Sequence, residues 1–158
     1  MSSTHQQLIS ALIQQDIDTI NRLKSTLQDE CDALKSRQHS KLTDLLSEKT
    51  RLLKALELSS SKRAQILTAS SLPPSKTAWE QLLQDYTDSE TRAQWVWIQQ
   101  EFQVCHDMNA VNGKLIARSR STLGHLVNVL RGQDSAPDLY NQSGSKQPNG
   151  GAYTMVKA

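Results

Sequence analysis

The first proline in this chain is Pro73 and the first glycine is Gly113, so Met1 to Leu72 contains neither of the two strongest helix breakers. An uninterrupted stretch of that length strongly favours helix over strands, which need turns every few residues. Composition agrees. Leucine is abundant, β-branched residues are few, and aromatic residues make up only 4%, poor material for half-buried strands. The expected fold class is all-α. A hydrophobic content of 37% lies below the ~45–50% of globular domains, which favours elongated helices with narrow apolar stripes over a thick core.

The stripes can be followed along the chain. Thr4 and Gln7 have capping-box spacing, and Leu8, Ile9, Leu12, Ile13, Ile17, Ile20, Leu23, Leu27, Cys31 and Leu34 keep steps of three and four. This predicts a helix over 4–35. The polar run from Lys35 to Lys41 is either a turn or a change of phase. A second stripe, Leu42, Leu45, Leu46, Leu52, Leu53, Leu56, Ile66 and Leu67, predicts a helix over 40–70. Its phase also carries two cations, Lys49 and Arg63, near a seam that should be apolar.

Pro73 and Pro74 must end that helix. Two further capping boxes, Thr77 with Glu80 and Thr87 with Glu90, predict a short helix over 78–84 and a long one over 89–131. The long one fits a heptad template through Trp95, Ile98, Phe102, Cys105, Asn109, Asn112, Ile116, Ser119, Leu123, Leu126 and Leu130, with Gly132 at the expected C′ position. Residues 133–158 hold half the glycines and half the prolines, and the expectation for them is a disordered C-terminal tail. The architecture read from the sequence is an elongated antiparallel helical hairpin or three-helix coiled-coil bundle spanning 1–132, followed by that tail.

Several function classes are disfavoured. A net charge of +2 supplies no global field for nucleic acid or an anionic membrane. No apolar run reaches the ~18–20 residues that span a bilayer. The N-terminus lacks a secretory pattern, and the only cysteines are Cys31 and Cys105, so a cytoplasmic location is expected. No catalytic, cofactor or metal site is expected. Cys105 and His106 point about 100° apart on a helix, no Glu-x-x-His pair occurs, and both cysteines fall in apolar phases as buried, inert thiols.

Features that suggest partners are few. Asn109 and Asn112 replace apolar residues on the best heptad seam, where they either bond to Lys49, Arg63 or a carbonyl of a facing helix, or line a groove awaiting a partner helix, with Gly113 permitting close approach. Lys114, Arg118, Arg120 and Arg131 form a run without an acid, read either as a complement to the helix dipole or as a contact for an acidic protein. Trp95 fits the seam, whereas Trp97, about 200° around, covers a second surface or lies exposed. Leu139-Tyr140 stands out in the polar tail.

Three patches together resemble the FlgN-type flagellar export chaperones. They are Lys49-x-x-Leu52-Leu53-x-x-Leu56-Glu57 with Arg63 and Leu67; Asn109-x-x-Asn112-Gly113-Lys114-Leu115-Ile116 with a leucine-rich helix end through Leu130; and Tyr140 with Gly144. The resemblance implies a non-enzymatic cytosolic chaperone of flagellar type III secretion. Its clients would be the C-terminal helical segments of the hook–filament junction proteins FlgK and FlgL. It also implies client contacts from Asn109, Asn112, Gly113, Ile116, Leu123, Leu126 and Leu130, and docking of Tyr140 on the cytosolic domain of the export-gate protein FlhA. The competing expectation is a homodimeric coiled-coil adaptor whose seam is filled by its own copy; whether the client-free chain is a monomer or a homo-oligomer stays open.

Overall fold

The computed structural model describes residues 3–130. Four helices follow in order: α1 (Ser3–Lys35), α2 (His39–Ala69), α3 (Lys76–Tyr86) and α4 (Ser89–Leu130). The chain divides into two compact units, Met1–Arg118 and Ser119–Ala158. The first is a helical bundle. In the second, the described residues are the last turns of α4, and Leu126, Val127 and Leu130 are exposed there. Gly132, Tyr140 and the expected tail lie outside the described residues.

The expected helices are present, with shifted ends. The break after α1 is a turn: Arg37 adopts a left-handed φ of 56°, and the Gln38 N–H bonds to the Ala33 carbonyl at 2.9 Å, as in a Schellman motif. α2 ends in the same way. Ser71 has φ 58° and the Leu72 N–H bonds to the Leu67 carbonyl at 2.9 Å, immediately before the two prolines. Each stop places a non-glycine residue in the region glycine normally occupies.

Both restarts use caps other than the expected ones. Ser75, extended behind Pro74, accepts the Ala78 N–H, so α3 begins before Thr77 and is longer than the spacing predicts. Asp88 accepts the Thr91 N–H at 2.8 Å and caps α4, while Thr87 closes α3 by donating its hydroxyl to the Leu83 carbonyl at 2.6 Å. Hydrogen bonds from Thr91, first its backbone N–H and then its side chain, hold the Asp88 carboxyl below its ordinary range.

α1 packs antiparallel to α2, and α4 runs parallel to α1 and antiparallel to α2. The order of cross-helix bonds gives this directly: Asp16 meets Arg63 and Glu30 meets Lys49, whereas Lys24 meets Glu101 and Leu27 meets Asn112. α1 supplies the largest share of the core through Ile9, Ile13, Ile20, Leu23 and Leu27, each at most 2% exposed. Burial of such a side chain is worth about 1.5–3 kcal/mol. Thr19 and Thr26, seven residues apart on the same face, are tolerated there because each hydroxyl bonds to the carbonyl one turn back. Leu52 and Leu67 come from α2, Ile98 and Cys105 from α4, and α3 closes one end with Trp79, Leu82 and Leu83.

Candidate functional site

The two cations near the α2 seam are explained by two buried carboxylates on α1. Asp16 and Glu30 are 2% and 3% exposed, and they pair with Arg63 and Lys49 respectively. Asp16 to Glu30 and Lys49 to Arg63 are both fourteen residues, so the hairpin has one register in which both pairs close. The two layers lie about four helical turns apart.

In the first layer, Arg63 Nη1 bonds to Asp16 Oδ2 at 2.5 Å and to Ser59 Oγ at 3.1 Å. Its guanidinium carbon lies 5.2 Å from the centroid of the Trp95 ring, within cation–π range. Trp95 in turn meets Trp79 of α3 edge-on, with ring centroids 6.0 Å apart. Burial pushes the Asp16 carboxyl above its usual value, against the pull of Ser59 and Arg63.

In the second layer, Lys49 Nζ bonds to both Glu30 oxygens at 3.0 and 2.9 Å and to Asn109 Oδ1 at 3.2 Å. That uses its three donors. Asn112, 1% exposed, donates both amide hydrogens, to the Leu27 carbonyl and to Glu30 Oε1, each at 2.9 Å. Asn109 and Asn112 thus tie α4 to both other helices, the intramolecular reading of the pair; neither asparagine is left unpaired.

The face between α2 and α4 is less filled. A groove of about 470 Å³ runs between Leu53 and Leu56 of α2 and Trp95, Ile98 and Phe102 of α4, over Ile20 and Asp16 of α1. It is continuous with a cavity of about 410 Å³ that reaches Pro74 and Trp79 and shares Arg63, Trp95, Gln99 and Phe102 with it. Phe102 is 47% exposed and Leu53 is 43% exposed. The heptad template therefore needs correction at Phe102 and Asn109, and its last positions, Leu126 and Leu130, are exposed as well. The face of α4 that packs inward follows Thr91, Ile98, Cys105 and Asn112, while Phe102 and Asn109 lie on its flank toward α2, because α4 contacts two helices instead of one.

The remaining expected site residues sit as follows. Gly113 is exposed, and a Cβ added to it would meet nothing within 4 Å among the described residues, so none of the other three helices approaches it closely. Ile116 is half-buried. In the second unit, Leu126 is 50% and Leu130 86% exposed, and Leu123 lies within α4. Lys114, Arg118 and Arg120 are exposed, and Arg131 lies outside the described residues. Trp97 packs against the core, partly buried. Cys105 is buried, as expected, whereas Cys31 is only half-buried.

The groove was missed at sequence level, although α2 carries a signal for it. The doublets Leu45-Leu46 and Leu52-Leu53 make its stripe wider than one packing face can absorb. Leu52 points into the core at 2% exposed, and its neighbour, about 100° around the helix, stands in the groove. Among the described residues, no group of three or more His, Cys, Asp or Glu side chains could hold a metal ion, and no helix is long and apolar enough to cross a membrane.

Compared with known families, residues 1–148 match the family model described as FlgN protein. No curated protein and no solved structure matches the chain.

Proposed function

The chain belongs to the FlgN family of flagellar export chaperones, and from that premise we propose that it binds the C-terminal helical segments of the hook–filament junction proteins FlgK and FlgL in the cytoplasm. It keeps them from assembling early and delivers them to the export gate. The observation that carries this reading is the apolar groove between α2 and α4, with Phe102 and Leu53 standing in it half exposed. A groove of this composition suits the apolar face of an amphipathic helix, read as anchors at i, i+3, i+4 and i+7.

Asn109, Gly113 and Ile116 continue along α4 from Phe102 and contribute client contacts there. Asn112 acts on the client indirectly by fixing the position of α4, since both of its amide hydrogens are committed. Leu123, Leu126 and Leu130 offer apolar client contacts in the second unit. Tyr140 serves delivery by docking on the cytosolic domain of FlhA.

Mixing the protein with a FlgK-type C-terminal segment tests the reading. Light scattering should give a one-to-one complex, and circular dichroism should show helix beyond the sum of the parts. Absence of binding at micromolar concentrations would overturn it. Tyr140→Ala should weaken binding to the FlhA domain and leave client affinity intact; equal loss of both would move Tyr140 to the client site.

A further inference from the structure

The groove is apolar along much of its walls but has an ion pair, Asp16 with Arg63, in its floor. Arg63 lines both of its cavities with 20% of its side chain exposed. Both of its hydrogen bonds leave from Nη1, and its face rests on Trp95. Nε and Nη2 hold no partner among the described residues, in a group whose five donors form a rigid fork matched to carboxylates. Beside it, the indole N–H groups of Trp79 and Trp95 are both buried without an acceptor among the described residues. Lys76, at the α3 end of the groove, is paired with Glu80 at 3.7 Å, whereas Glu57 lines the other end with no cation paired to it among the described residues, so a second negative charge is disfavoured near Glu57 and is better placed on the α3 side.

We propose that Arg63 is a specificity-determining residue of the groove: it selects an amphipathic helix that carries a carboxylate within its apolar face, placed toward α3. The inference rests on the client-groove reading above. Asp16 already neutralises part of the Arg63 charge and orients the guanidinium through Nη1. The incoming carboxylate takes the open edge, and Trp95 keeps the plane fixed. An amide of the same shape forms weaker, uncharged bonds at that edge, and an ammonium meets like charge.

The test uses the full-length chain and three designed helical peptides of about 16 residues. All carry leucines at i, i+3, i+7 and i+11, with Glu, Gln or Lys at i+4. Tryptophan fluorescence reads binding, because Trp95 forms part of the groove wall. The Glu peptide should bind about tenfold more tightly than its Gln twin, as expected for a hydrogen bond to a charged group, and the Lys peptide more weakly than either. In the double variant Asp16→Asn with Arg63→Gln, which leaves no buried charge unpaired, the Glu and Gln peptides should bind equally. Equal binding of those two by the wild-type chain overturns the role of Arg63 and leaves the groove reading standing. If none of the three peptides binds, the groove reading fails and this inference fails with it. The wild-type comparison changes only the peptide, so it holds even where the double variant does not fold.

Discussion

The two polar layers of the bundle start from the same parts and end differently. Each sets a carboxylate on α1 against a cation on α2. At Glu30, α4 answers with two asparagines, and every donor of Lys49 and of the Asn112 amide is used. At Asp16 it answers with Trp95, an aromatic face that steadies Arg63 but accepts nothing from its outer edge. A satisfied buried network specifies one arrangement of the helices, whereas a partly satisfied one beneath an open groove retains capacity for a ligand. The first layer described thus suits recognition, and the second suits register.

The sharpest way to break this distinction is to remove each cation in turn. Lys49→Met leaves the Glu30 carboxylate buried and uncompensated, and should cost about 3–5 kcal/mol in chemical denaturation. Adding Glu30→Gln should restore at least half of that loss, because the amide oxygen still accepts from Asn112. Arg63→Met should cost less, about 1–3 kcal/mol, since Asp16 keeps Ser59 beside it and burial already raises the pKa of its carboxyl. Equal losses for the two variants would remove the distinction.

The pH profile sharpens it further. A carboxyl with a raised folded pKa contributes stability that is present below the unfolded value and lost as pH rises through the folded one, and Asp16 is of this kind. Glu48, held low mainly by its hydrogen bond to Arg51, and Asp88, held low by Thr91, have the opposite sign. Their contribution is present above the ordinary carboxylate range and lost as pH falls through their lowered values. Asp16→Asn should therefore remove a component of stability that declines with rising pH, while the acid-side loss persists. Denaturation midpoints followed across the acid range would show it; a wild-type profile without the declining component would assign Asp16 to an ordinary carboxylate.

Much of the fold was legible because each helix carries its own periodic signal. The missing glycines and prolines, the apolar steps of α1 and the pair Pro73-Pro74 needed no tertiary information. The caps of α3 and α4 were misassigned because several hydroxyls and carboxylates lie within two residues of each start, and only the chain path chooses between Ser75 and Thr77 or between Asp88 and Thr87. Lys49 and Arg63 were visible as misfits in a stripe. Their partners were not recognised, although Asp16 and Glu30 lie in the phase of the α1 core and repeat the same fourteen-residue interval. The groove was beyond single-helix periodicity. Whether Phe102 is core or wall depends on how α4 is shared between α1 and α2, with α3 and its Trp79 filling the space at one end.

Smaller effects probe the same contrast. Gly113→Ala should stabilise the protein by about 0.5–1 kcal/mol, since the added methyl meets nothing and alanine is the better helix former. If client affinity falls at the same time, the client backbone approaches Gly113 and the site extends toward the asparagine layer; unchanged affinity confines it to the groove. Thiol labelling gives the mildest test. Burial, aided by the nearby Glu101, pushes the Cys105 thiol up, and Cys31 is the more exposed. Iodoacetamide should modify Cys31 first, as read by mass spectrometry. Faster reaction at Cys105 would mean that α4 lifts from α1.

The most direct test of the groove as the client seat is the affinity of Phe102→Ala for a FlgK-type C-terminal segment, measured by calorimetry beside its thermal melt. Phe102 is half exposed, so its removal should leave the melting temperature within a few degrees of the wild type. The expected result is a client affinity at least about tenfold weaker with folding intact, the loss of a buried aromatic anchor. Unchanged affinity in a folded variant would contradict the assignment of the groove.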